Sequence, residues 1–165
     1  MILLKKAVES DIPTIQEIAR ITWGPTYVHI IGQEQVDYML GKMYSKATLL
    51  EQLAAGHTFL IAVEDAKPIG FAGFSRDEGD AFQLHKLYVL PEAHGKGVGK
   101  LLINEVLNAA RAEGAKYLRL NVNRKNKAKS FYESAGFKIK ESVDIEIGNG
   151  FFMNDYIMEK AIEPA

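Results

Sequence analysis

AFQLHKLYVLPEAHGKGVGKLL, spanning Ala81 to Leu102, reads as a strand, a glycine turn and a helix start in immediate succession. Phe82 to Leu90 is rich in β-favouring residues, and Pro91 stops the run because proline cannot donate to a sheet ladder. His94-Gly95-Lys96-Gly97-Val98-Gly99 forms the turn, and Lys100-Leu101-Leu102 begins an amphipathic helix. This order sets free backbone N–H groups at a helix N-terminus, where the helix dipole adds partial positive charge. Such a place suits an anion, typically a phosphate. Glycine there keeps a Cβ from holding phosphate oxygens away from the backbone.

Two familiar phosphate loops do not fit. A P-loop requires glycine where this chain has His94 and serine or threonine where it has Leu101. A dinucleotide fingerprint requires an acidic residue about twenty positions on, where Asn121 and Asn123 stand. The turn instead resembles the acetyl-CoA signature of the GCN5-related N-acetyltransferase (GNAT) superfamily, Gln/Arg-x-x-Gly-x-Gly/Ala. His94 takes the first slot, followed by Gly97 and Gly99, and Leu87, Tyr88, Val89 and Pro91 resemble that family's fourth strand. Histidine for Gln or Arg is a departure; it still donates a hydrogen bond, with a charge that follows pH. The plainer reading is a glycine-rich strand-to-helix turn that holds nothing.

A second stretch, Asn126-Lys127-Ala128-Lys129-Ser130-Phe131-Tyr132-Glu133-Ser134-Ala135-Gly136-Phe137, resembles the family's following helix. Each position also has an ordinary structural role: Ala128 and Phe131 as core, Gly136 as a helix C-cap, Asn126 as an N-cap. The resemblance spans the chain and is specific from Phe82 to Phe137. The Trp23–Tyr27 region and the ending GNGFFMNDYIMEK further resemble the bacterial spermine/spermidine N-acetyltransferase-like group.

Length and composition agree with one such domain. The 165 residues suffice for one core, apolar content is ordinary, and the net charge is −1, which argues against a nucleic-acid surface. With no cysteine, disulfides, thiolate metal sites and a cysteine acyl-enzyme are excluded. His85 and His94 have no carboxylate at ligand spacing, so no metal is expected. Met1 to Asp11 has too short an apolar segment for a secretory signal, and no run reaches transmembrane length. A soluble cytoplasmic protein with no membrane partner is expected.

Hydrophobic periodicity orders the remainder. Ile2 to Val8 reads as a strand, and Ser10-Asp11 opens a helix running to about Trp23, where Gly24-Pro25 interrupts it. Further helices follow over Gln33 to Met43 and from Ser45 or Thr48 to Gly56. Thr58–Val63 and Ile69–Phe74 form a hairpin around residues 64–68. A helix over Leu101–Glu113, a strand over Tyr117–Val122, a helix over Asn126–Ala135, and a closing hairpin of Phe137–Ile147 with Phe151–Glu159 complete the chain. The fold class is α/β (α+β): a mixed, mostly antiparallel sheet of about seven strands, flanked by helices, with one β–α–β crossover. By resemblance, strands four and five splay into a V that receives the pantetheine arm of CoA.

The resemblance implies an acetyl-CoA-dependent N-acetyltransferase acting on a primary amine of a small molecule or peptide, with a catalytically silent acyl-CoA-binding module as the alternative. The cofactor set it implies is Leu87, Tyr88 and Val89 on the strand, and Asn126, Lys129 and Tyr132 on the later helix. Between them, the turn contributes His94, Gly95, Lys96, Gly97, Val98, Gly99 and Lys100. A strand N–H near Leu87 to Val89 would polarise the thioester carbonyl, and Tyr132 would deliver a proton to the CoA sulfur. His85, placed by period-two alternation on the face of Gln83 and Leu87, is the proposed base, against its reading as a packed strand histidine. His29 and His57 read as solvated loop residues. Trp23, Tyr27 and Tyr38 offer aromatic surface and Glu34 and Asp37 negative charge to an amine, or simply pack the first helices on the sheet. A homodimer is compatible with the family.

Overall fold

The computed structural model describes residues 1–164. Seven strands and five helices follow one another as β1 (Ile2–Lys6), α1 (Ile12–Ile31), α2 (Gln33–Met43), α3 (Lys46–Ala54), β2 (Thr58–Glu64), β3 (Lys67–Arg76) and β4 (Ala81–Val89), then α4 (Val98–Ala112), β5 (Tyr117–Asn123), α5 (Ala128–Ser134), β6 (Lys138–Gly148) and β7 (Phe151–Ala161). The strands form one sheet in the order β1-β2-β3-β4-β5-β7-β6. Its one parallel pair is β4 with β5, bridged by α4, and every other neighbour is antiparallel. This is the mixed sheet expected from the order of the elements.

Two apolar layers hold the helices to the sheet. Leu102, Val106 and Ala110 of α4 pack with Leu118, Leu120 and Met158 on one face. Ile15, Trp23 and Leu49 from α1 and α3 pack with Phe59 and Phe71 on the other. Among the described residues no helix is long and apolar enough to cross a membrane.

The interruption expected at Gly24-Pro25 does not occur, and α1 continues through Pro25 to Ile31. Proline removes one helical hydrogen bond and strands the carbonyl four residues back, on Ile21. Ile21 and Pro25 both lie on the exposed face, so that carbonyl is not stranded in the core. On the inner face the Trp23 and Tyr27 rings meet at 4.6 Å in a tilted pair, and Trp23 also meets Tyr88 at 5.8 Å. Aromatic packing on the sheet thus outweighs the local break. β1 is shorter than its apolar pattern implied, ending at Lys6 before a short 3-10 turn in which Asp11 accepts from the Val8 N–H at 2.8 Å. Between β2 and β3 the chain reverses over Asp65 and Ala66 alone, at φ 50° and 65°, so the five-residue turn contracts and both strands lengthen.

Within β4 the register slips: Phe74 lies opposite Leu84 and Gly73 opposite Lys86, leaving His85 as the extra residue of a β-bulge. Before the bulge Phe82 and Leu84 face α4; after it Leu87 and Val89 do. Period-two alternation therefore fails at His85, which does not share a face with Leu87. His85 and Lys86 instead turn consecutively towards the side of α2 and α3, where His85 meets His57 and Ser75 and Lys86 meets Gln52.

Candidate active site

The parallel ladder between β4 and β5 is short. It pairs Ala81 with Tyr117 and ends at Leu84 with Leu120, whereas β5 stays paired with β7 as far as Asn123. Beyond that point the strands part, closed at the foot by a 3.2 Å hydrogen bond from the Gln83 amide to Asn121 Oδ1. The bulge at His85 provides the bend that turns β4 away. On the far side of β4 the Leu90 N–H donates to Ile69, while the Val89 carbonyl points into the gap and meets His94 Nε2 at 2.9 Å. Since the N–H and C=O of one strand residue share a side and alternate along the strand, the amides of Leu87 and Val89 face the gap without a ladder partner.

A cleft of about 900 Å³ fills this gap and runs to the glycine turn. Gly95 and Gly97 stand at φ 84° and 78°, the left-handed region in which L side chains are strained, and open space lies where their Cβ atoms would be. Their role is conformational. Gly99 differs: a Cβ there would lie 3.0 Å from the Phe131 ring, so this glycine permits α5 to approach α4. Helix α4 has no side-chain N-cap, and its first bond is Leu101 N–H to Gly97. The amides of Val98, Gly99 and Lys100 precede that bond and remain available. This end of the cleft fits an anionic diphosphate, and the unpaired edge of β4 fits an amide-bearing chain.

The opposite wall comes from α5 and α1. Asn126 accepts from the Ala128 N–H at 2.9 Å in the turn that leads into α5, and its Nδ2 donates to the Tyr27 hydroxyl at 3.4 Å. The N-cap position of α5 is Lys127, without a side-chain cap, so Asn126 closes the turn before the helix rather than serving as its N-cap, and it also faces the cleft. Tyr27 and Tyr88 bring their hydroxyls to 3.0 Å. Tyr132 is buried against Phe131 and Phe137, and burial pushes its phenol well above the usual range, so it keeps its proton near neutral pH.

At the bulge His85 Nε2 lies 2.7 Å from Ser75 Oγ, and its ring stacks on His57 at 4.5 Å. Loss of hydration, then His57 and Lys86, pull the His85 pKa down to about 4, so the imidazole is neutral at pH 7. Lys86 is buried, donates to Gln52 at 2.7 Å, and lies over the rings of Phe59 and Tyr44 at 5.3 and 5.4 Å. Burial lowers its pKa to about 8.

Most of the residues expected at the cofactor line this cleft: Leu87, Tyr88, Val89, His94, Gly95, Gly97, Val98, Gly99, Lys100, Asn126 and Tyr132, with His85 beside them. Lys96 and Lys129 do not. Lys96 pairs with Glu64 at 2.8 Å, and Lys129 with Glu133 at 3.2 Å. Of the residues expected around the acceptor, Tyr27 lines the cleft, while Trp23 is buried behind it. Tyr38 donates to the Ile147 carbonyl at 3.0 Å and packs its ring at a tilt against Phe151, joining α2 to the β6–β7 hairpin, and Glu34 is exposed on α2. His29 is exposed as expected but lies in α1, where it lines the cleft; His57 lies in the loop before β2 as expected but is stacked on His85 and only half exposed. Lys86 and Asn121 also line it and were not foreseen; a lysine inside an apolar strand was the available signal for the first.

The sequence model of a family described as an acetyltransferase (GNAT) domain matches residues 28–159. The chain is 32% identical to a spermidine N(1)-acetyltransferase of Thermoplasma acidophilum, over 97% of each chain. It is 30% identical to an uncharacterised N-acetyltransferase of Mycobacterium tuberculosis, over 93% of this chain and 99% of that one. Its backbone is similar to the crystal structure of the PaiA N-acetyltransferase from Thermoplasma acidophilum in complex with coenzyme A. The TM-score is 0.84 at 32% identity, covering 98% of this chain and 99% of that one.

Proposed function

This chain belongs to the GNAT acetyltransferase family, and from that membership we propose that it is an acetyl-CoA-dependent N-acetyltransferase whose acceptor is a primary amine. The acceptor is a small polyamine or amino compound, or an amine carried by a protein, as in relatives named for spermidine, for peptidyl-lysine and for the alanine of a ribosomal protein. The observation that carries this reading is the end of the β4–β5 ladder at Leu84 and Leu120, which leaves strand amides facing a cleft that leads to the free amides of α4.

The residues divide the work by position. The amides of Val98, Gly99 and Lys100 hold the diphosphate of the coenzyme, and the edge of β4 at Leu87 and Val89 aligns its amide-bearing arm and polarises the acyl carbonyl. When bound, acetyl-CoA supplies an acetyl group activated as a thioester. Tyr132, protonated and buried, is the group that holds a proton for the departing sulfur. His85, neutral at pH 7 and bonded to Ser75, is the group that accepts the proton of the amine, directly or through water.

A panel of aliphatic, aromatic and peptide amines incubated with acetyl-CoA, with free thiol followed over time, tests this reading. Amine-dependent thiol release is expected. Tight acetyl-CoA binding with no release for any amine would make the chain an acyl-CoA-binding module.

A further inference from the structure

Asp155 is a buried acid that forms no ion pair through its carboxylate. It lies in β7 between Asn123 of β5 and Val143 of β6, and it is 1% exposed. Neither carboxylate oxygen has a partner in hydrogen-bond geometry, and the one polar side chain that lowers its pKa from nearby, Asn121, carries no charge. A carboxylate taken out of water without a partner is costly, and protein interiors normally provide one. The cation that acts on it is Arg124, whose guanidinium is committed elsewhere: to Asp144 at 2.6 Å, Ser142 at 2.8 Å and the Val143 carbonyl at 3.1 Å. Arg124 reaches Asp155 only at its backbone carbonyl, at 3.4 Å.

This carboxylate lies close to the cleft. Residues 156 and 158 pack on the α4 side of the sheet, which turns Asp155 to the other face with Asn121 and Asn123, under α1. Tyr27 registers the charge: its phenol is raised first by burial and further by Asp155. Tyr27 lines the cleft and meets Tyr88 and Asn126. In a poorly hydrated interior a charge acts over several ångströms with little screening.

We propose that Asp155 is a positioning residue for the acceptor: its buried carboxylate, paired with no cation, sets a negative potential at the Tyr27–Tyr88–Asn126 end of the cleft, which selects aliphatic amines that arrive as cations. The inference rests on the acetyl-transfer reading above. It makes α1 and β7, rather than exposed Glu34, the source of acceptor preference. The other ionisable groups around Asp155 are Tyr27 of α1, Tyr88 of β4, and Arg124, which leads to Asp144 of β6. Both tyrosines are raised, so neither changes charge between pH 5 and 8, and arginine stays protonated throughout.

Steady-state kinetics of the parent and Asp155→Asn, with every amine of the panel at pH 7.5, test the proposal. For aliphatic amines KM is expected to rise at least tenfold with kcat within threefold. For arylamines such as aniline, uncharged at that pH, KM is expected to stay the same, as is acetyl-CoA affinity measured by titration calorimetry. In the parent, KM for aliphatic amines is expected to rise as pH falls below 6, a readout that needs no variant. An unchanged KM for aliphatic amines in Asp155→Asn, or an equal loss for charged and uncharged amines, overturns the inference and leaves the acetyltransferase reading intact. A parent that acetylates only uncharged amines also overturns the inference alone, whereas a parent that acetylates none overturns both.

Discussion

The hydroxyls of Tyr27 and Tyr88 meet at 3.0 Å, joining α1 to β4 beside the cleft. Tyr88 is half-buried among Trp23, Phe71 and Tyr27, and its hydroxyl is bonded to that of Tyr27. Tyr27→Phe keeps the ring contact with Trp23 and removes the partner of that hydroxyl. A loss of about 1 kcal/mol or less is expected, the usual net worth of one hydrogen bond at a partly buried site. Urea denaturation checks it, and acetyl-CoA affinity is expected to be unchanged because the glycine turn is not involved.

Tyr132→Phe separates chemistry from binding. The phenol is held protonated by burial, so it donates rather than accepts near neutral pH. Removal of a positioned general acid typically slows turnover on the order of 10²-fold or more. That loss is expected in kcat, with the dissociation constant of acetyl-CoA within twofold of the parent. A variant as fast as the parent would remove Tyr132 from the mechanism.

The glycine turn was legible because φ and helix-end constraints are local: Gly95 and Gly97 adopt the left-handed conformation that their sequence context implied. Gly99 was read for the same reason and has another, the Phe131 ring from a helix about thirty positions on, which no local pattern contains. The same limit explains α1, where Pro25 is a local stop signal overruled by Trp23 and Tyr27 packing on the sheet. It also explains His85, since one bulge residue inverts the facing of everything after it and alternation has no means of marking where it falls. Asp155 left a faint trace, one acid between apolar positions of β7, but its missing partner is visible only in three dimensions.

The two roles of glycine predict unequal substitutions. Gly97→Ala places a Cβ on a backbone at φ 78°, which costs roughly 1 to 2 kcal/mol or forces the turn to rearrange. A melting temperature several degrees lower and acetyl-CoA binding weakened about tenfold are expected, because the amides following Gly97 lose their alignment. Gly99→Ala meets only the Phe131 ring, which is 37% exposed and free to swing outward. Its effect on both measurements is expected to be smaller, and the reverse order would contradict these assignments.

Asp155 and His85 act on stability with opposite pH dependence. Burial raises the Asp155 pKa to about 6, above its unfolded value near 3.9, so the folded state binds the extra proton. Its contribution is present below pH 4 and is lost as pH rises through 6. His85 is lowered to about 4 from an unfolded value near 6.5, so its contribution is complete above pH 6.5 and is lost as pH falls towards 4. Asp155→Asn removes the first dependence while preserving shape. The variant is expected to match the parent at pH 4 and to exceed it by on the order of 2 kcal/mol above pH 7, the gap opening between those limits. His85→Ala is expected to flatten the acid limb and leave the neutral limb unchanged; its exposed ring argues for a smaller effect. Urea midpoints for the three proteins at unit pH intervals separate the contributions. A gap between Asp155→Asn and the parent that is equally wide at pH 4 and pH 8 would show that the carboxylate is not ionised against its surroundings, and with it the negative potential assigned to the acceptor end of the cleft would fall.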